Sequence, residues 1–122
     1  MIDKFYALYK FVSDRLGVEN IKLEELHSPN GVIMEIDSRG FSPVVDKIEI
    51  SLYDDDIFRG FMLIDDFRFE YNSNEDDAIE DIKRYINAIK MQKIYIKGYK
   101  LLGVTFNKKL LIEDSGAHGT HL

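Results

Sequence analysis

DKIEISLYDDDIFRGFMLIDDFRFEYN, residues 46–72, decides the fold class. Ile48, Ile50 and Leu52 alternate with Lys47, Glu49 and Ser51, the period-two pattern of a half-buried strand. Asp54, Asp55 and Asp56 then end that strand. Phe61 to Ile64 predicts the next strand and Asp65-Asp66 a turn. Phe67, Phe69 and Tyr71 predict the inner face of a returning strand, with Arg68 and Glu70 outside. Connections this short join antiparallel neighbours.

The flanking sequence adds helices and further strands. Phe5, Leu8, Tyr9, Val12 and Leu16 follow helical spacing, predicting a helix from Ile2 to Leu16 with Asp3 at its positive end and Gly17 as its stop. Ser28-Pro29-Asn30-Gly31 predicts the turn of a hairpin. Its arms are Ile21–Leu26 and the strand on which Val32, Met34 and Ile36 share a face. The segment 38–43 reads as a loop. Downstream of the meander, Ser73 or Asn74 caps a second helix, and Ser73 with Asp76 approximates a capping box. Glu75, Asp76 and Asp77 crowd its N-terminus, Lys90 and Lys93 its other end, and Ile79, Ile82, Ile86 and Ile89 form its apolar stripe. Glu80 and Arg84 are spaced for an i,i+4 pair. A last pair of strands turns at Leu102-Gly103, with a bulge expected at Gly98.

The predicted architecture is α+β: a largely antiparallel sheet of five to seven strands with two amphipathic helices on one face. Residues 1–114 form one domain, and residues 115–122 a short mobile tail. The absence of a βαβ series excludes a doubly wound nucleotide fold.

Composition narrows the function classes. Cysteine is absent, so there is no disulfide framework and no thiolate metal site. The N-terminus lacks the basic-then-apolar order of a signal peptide, and no apolar run is long enough to span a bilayer. A cytoplasmic protein with no membrane partner is the expectation. Charge is uneven. Residues 51–81 carry eleven acids and two bases, net −9, whereas residues 82–122 carry two acids and eight bases, net +6. A field of that kind steers a basic partner and argues against nucleic acid as the ligand.

No motif assigns catalysis. The aspartate triplet lacks the alternating spacing of a calcium loop. His118 and His121 have no adjacent third ligand, and His27 reads as a strand-end residue. No serine lies in a nucleophile-elbow context. Neither a metal nor another cofactor is therefore expected. Lys93, Lys97, Lys100, Lys108 and Lys109 read as solvent-side charges that discourage strand-edge association. Among the tyrosines expected at the surface, Tyr6, Tyr53, Tyr95 and Tyr99, only Tyr53 adjoins the acidic triplet and reads as an interface anchor.

In size, acidity and the segment LYDDDIFRGFMLIDDFRFEYNSNEDD, residues 52–77, the chain resembles the immunity proteins of bacterial toxin–immunity pairs, such as those of contact-dependent growth inhibition. The resemblance is one of type and spans the whole chain. It implies a non-enzymatic inhibitor and a cognate basic toxin domain, commonly a nuclease, whose active site is blocked by an acidic surface. It carries over no catalytic residue. The partner-binding set expected on this reading is Tyr53, Asp54, Asp55, Asp56, Asp65, Asp66, Glu75, Asp76 and Asp77. The alternative is a small-ligand-binding protein, or an enzyme using scattered carboxylates.

Overall fold

The computed structural model describes residues 2–27, 30–54, 57–72, 74–102 and 104–113. Helix α1 spans Ile2–Leu16, and a single 3-10 turn, Val18–Asn20, leads into the sheet. Five strands follow: β1 (Ile21–His27), β2 (Asn30–Asp37), β3 (Lys47–Asp54), β4 (Phe58–Ile64) and β5 (Phe67–Tyr71). Then come helix α2 (Glu75–Lys90) and two strands, β6 (Ile94–Leu101) and β7 (Val104–Ile112). The α+β class and the antiparallel sheet agree with the sequence reading, and β4 begins earlier, at Phe58. The seven strands form two sheets. The first is an antiparallel meander in the order β1-β2-β3-β4-β5, and among the described residues β6 pairs only with β7. Helix α2 separates that hairpin from β5 in the chain. Ile94, Leu110 and Ile112 join the core through side chains, with no sixth ladder on the meander.

Cross-strand register explains the core. Ile21, Ile36, Ile48, Ile64 and Phe67 align as one row across the meander, and Leu23, Met34, Ile50, Met62 and Phe69 as the next. Because side chains alternate faces, both rows lie on the same side. Phe5, Leu8, Val12 and Leu16 of α1 and Ile79, Ile82, Tyr85, Ile86 and Ile89 of α2 are buried in one cluster with these rows, except for Leu23 on the edge strand, which is exposed. Lys4 Nζ lies 2.8 Å from Asp76 Oδ1, and Arg15 Nε donates to Asn87 Oδ1 at 2.7 Å. Each contact joins residues equally far along the two helices, so α1 and α2 run parallel. No described helix is long and apolar enough to cross a membrane.

Local chemistry closes both ends of α2. Asn74 is the N-cap: its Oδ1 accepts from the Asp77 N–H at 3.0 Å. The Ser73 alternative lies outside the described residues. The expected Glu80–Arg84 pair is replaced by two shorter-range ones, Lys83 with Glu80 and Arg84 with Asp81. The physical reason is Tyr71, whose hydroxyl donates to Asp81 Oδ2 at 2.6 Å and fixes that half-buried carboxylate where Arg84 reaches its other oxygen.

Burial, then the Asp81 hydrogen bond, raises the Tyr71 hydroxyl pKa above the ordinary tyrosine value. The folded protein therefore keeps this proton at pH values where an unfolded chain has released it. The stabilisation is whole below about pH 10 and declines as pH rises beyond it. Tyr71→Phe is expected to cost about 1–2 kcal/mol at neutral pH and to flatten the fall in stability above pH 10. Urea titrations at a series of alkaline pH values check both.

The opposite end of the meander is locked by Asp65. Its side chain, held at a left-handed φ of 52°, accepts from the Asp46 N–H at 3.1 Å and the Lys47 N–H at 3.0 Å. This joins the β4–β5 turn to the start of β3. Ser38 Oγ, buried, donates to the Val45 carbonyl at 2.7 Å in the same connection. Nearby, the Arg39 guanidinium and N–H hold the Asp37 carboxyl down to about 2. Asp65→Ala is expected to lower stability by about 2 kcal/mol, a thermal midpoint shift of roughly 8 °C, while Asp65→Asn keeps most of it.

Candidate protein-docking face

The sheet has a second face that no described element packs on. The alternation that sends Ile48, Ile50 and Leu52 inward sends Glu49, Ser51 and Tyr53 outward. Register assembles three outer rows. Lys22, Glu35, Glu49, Leu63 and Arg68 form one, and Glu24, Ile33, Ser51, Phe61 and Glu70 the second. Leu26, Gly31, Tyr53 and Arg59 form the third. Ile33, Tyr53, Phe61 and Leu63 stay outside the buried cluster and partly exposed.

Two features of this face are organised. The first is aromatic. Tyr53 and Phe61 meet edge to face with centroids 6.1 Å apart. Arg59 stacks over Tyr53 at 5.4 Å and Arg68 over Phe61 at 4.9 Å, so each ring carries a guanidinium. Gly31 makes room for this packing: a Cβ there would lie 2.7 Å from Tyr53 Cδ1 and 2.6 Å from the Leu52 carbonyl oxygen. Tyr53 thus covers the neighbouring strand at Gly31, which has no side chain of its own.

The second feature is a pair of carboxylates. Glu35 and Glu49 are direct cross-strand partners, both half-buried. Among the described residues neither forms an ion pair, although Lys22 faces Glu35 from β1. Directly opposed side chains sit about 4.5–5.5 Å apart at Cβ, and like charges there work against the sheet. Sequence reading placed Glu49 outward but missed the pairing, which depends on register between two strands joined by the connection 38–46.

The residues predicted to bind a partner separate in space. Tyr53 lies on the outer face and Asp54 follows it at the sheet's end, its carbonyl accepting from Asn30 Nδ2 at 3.3 Å. Asp55 and Asp56 lie outside the described residues, as do His118 and His121. Glu75, Asp76 and Asp77 open α2 at the same end as Asp54, since Tyr71 pairs with Gly60 near the start of β4. Asp76 is engaged by Lys4, and Glu75 Oε1 is buried without a hydrogen-bond partner among the described residues. Asp65 and Asp66 lie at the opposite end. Asp65 follows Ile64, which pairs with Ile48, so about seven strand residues, or about 23 Å, separate it from Asp54. The sequence-level acidic segment is therefore two acidic ends joined by the outer face.

Shallow hollows lie beside the carboxylate pair. One of about 350 Å³ is lined in part by Lys22, Glu35, Asp37 and Arg39. Another, of about 470 Å³, is lined in part by Glu49, Leu63, Asp65 and Asp66. Among the described residues no three His, Asp or Glu side chains are grouped to hold a metal ion.

No family model matches the sequence, and no curated protein or solved structure matches it either.

Proposed function

We propose that this chain is a protein-binding immunity protein that neutralises a basic toxin domain by covering its active site. The observation that supports this reading is the open outer face, where Glu35 and Glu49, without an ion-pair partner among the described residues, lie beside the Tyr53–Phe61 pair. Opposed carboxylates are a cost to the free protein that a cation brought by a partner turns into a gain. Aromatic rings already stacked with arginines are rigid anchors of the kind that dominate interface energetics. Tyr53 joins the two regions, because the next residue, Asp54, begins the acidic end.

The mechanism follows from charge and area. The acidic end attracts a cationic groove over a distance set by salt, raising the encounter rate. The outer face then supplies the desolvated contacts that slow dissociation. Asp54, Asp55 and Asp56 serve steering, and Tyr53, Phe61, Glu35 and Glu49 serve retention. Asp65 belongs to neither, because its carboxylate is spent on the fold. Asp65→Ala is therefore expected to leave affinity unchanged at temperatures where the variant is folded.

The test begins with the gene immediately upstream. A secreted protein ending in a small basic domain is expected there, and that domain should co-purify with this chain. Replacing Asp54, Asp55 and Asp56 with Asn is expected to slow association about tenfold at low salt and to flatten its salt dependence. An upstream metabolic gene, or a basic domain that does not bind, sinks the immunity reading. Unchanged association rates remove the triplet from the interface.

A further inference from the structure

We infer that the β6–β7 hairpin is a second interaction element, one that seats on an anionic lipid surface. Three features of this hairpin work against the free protein. First, residues 94–112 contain four lysines and no acid. Second, Lys97 and Lys109 are direct cross-strand partners, both exposed, so like charges oppose each other in a two-stranded sheet. Third, Leu102 stands at the turn, 95% exposed, in the left-handed region at φ 54°. That position suits Asn or Gly, and Leu there combines backbone strain with an apolar side chain left in water.

Among the described residues the hairpin is anchored at its open end. Ile94, Leu110 and Ile112 are buried, and the Lys93 N–H donates to the Ala88 carbonyl at 2.7 Å at the C-terminal end of α2. Beyond that anchor Ile96, Lys97, Lys108 and Lys109 are exposed. A two-stranded sheet gains little stability from itself. The acids Glu75, Asp76 and Asp77 lie at the other end of α2, about 20 Å or more along its axis and beyond two screening lengths of about 8 Å. They therefore do not cancel the field of the hairpin lysines, and the acid at the anchor, Glu113, accepts from the Tyr95 hydroxyl at 3.1 Å.

These features match an anionic bilayer. Lysines meet lipid phosphates, and a leucine at the apex leaves water for the acyl boundary. Nucleic acid fits less well, because residues 94–112 hold no Arg and an apolar apex wastes a phosphate contact. Such seating is peripheral and needs no membrane-spanning helix.

Co-sedimentation of the full chain with vesicles of phosphatidylglycerol and phosphatidylcholine tests the proposal. Binding is expected at low salt, with loss at high salt and none to phosphatidylcholine alone. Leu102→Asn relieves the turn, so its thermal midpoint should equal or exceed that of the parent while vesicle affinity falls about tenfold. Lys97→Gln with Lys109→Gln should lower affinity about 25-fold, near fivefold per lysine. The proposal is overturned if the parent chain ignores the anionic vesicles, or if Leu102→Asn binds them undiminished. Capture of duplex DNA in place of vesicles also overturns it, assigning the lysines to nucleic acid phosphates instead.

Discussion

Replacing Glu35 and Glu49 together with glutamine is expected to raise stability and weaken partner binding at once. The pair is opposed across β2 and β3 with no ion pair to either side chain among the described residues. Removing both charges relieves repulsion of about 0.5–1 kcal/mol, a rise of roughly 2–4 °C in the thermal midpoint. Glutamine keeps side-chain volume and hydrogen-bonding capacity, so packing with Ile33, Ser51 and Leu63 is preserved. In a complex with a basic domain, the same charges become acceptors for lysine or arginine in a partly desolvated interface. Losing such contacts costs about 2–5 kcal/mol, so affinity should fall about 30-fold or more. Differential scanning calorimetry and titration of the basic domain proposed as the partner read the two effects separately. The opposite signs are diagnostic, because a merely structural role lowers both quantities and a solvated face moves neither. A variant that is more stable and binds equally well takes the outer face out of the interface.

The fold was legible where information is local. Helix α1 matches its predicted span because Phe5, Leu8, Val12 and Leu16 carry the helical period and Gly17 adopts the positive φ that ends it. Strands β2 and β3 were readable because alternation assigns each residue a face without reference to a partner. The bulge at Gly98 was also readable, and the register of β6 and β7 shifts there. What depends on long-range register was hidden. Glu35 and Glu49 each read as an outward-facing acid, and only their pairing makes them unusual. Asp65 read as a turn residue, yet its carboxylate serves N–H groups 18 and 19 residues earlier in the chain. The acidic run misled in a different way. Asp54 and Asp65, eleven residues apart in sequence, became opposite ends of a sheet, because β4 carries the chain from one end to the other. Charge density along the chain therefore overstated charge density in space.

Tyr85→Ala is expected to be the most damaging single substitution in α2, costing about 4 kcal/mol. The apolar spacing of this helix suggested a narrow stripe of four isoleucines, Ile79, Ile82, Ile86 and Ile89. Burial extends further, to Ala78, Tyr85 and Ala88. At about 100° per residue these seven positions cover an arc of about 180°, half the helix circumference. A helix with one neighbour buries a stripe. This one meets the sheet on one side and α1 on another, so it buries half of itself. Tyr85 is the largest fully buried side chain in that arc, 1% exposed, with its ring 4.8 Å from Phe69 at the edge strand β5. β5 has five residues and only β4 to pair with, so its attachment rests heavily on Phe67, Phe69 and Tyr71 packing inward. Truncation to alanine leaves a ring-sized cavity between α2 and that strand. The expected loss is a large share of the roughly 5–15 kcal/mol that holds a domain of this size, with a midpoint shift of about 15 °C. Tyr85→Phe keeps the ring and should recover most of that loss. Hydrogen exchange distinguishes the causes: if Tyr85 pins the edge, β5 amides lose protection before those of β2 and β3. Uniform loss across the sheet places the role of Tyr85 in the core as a whole.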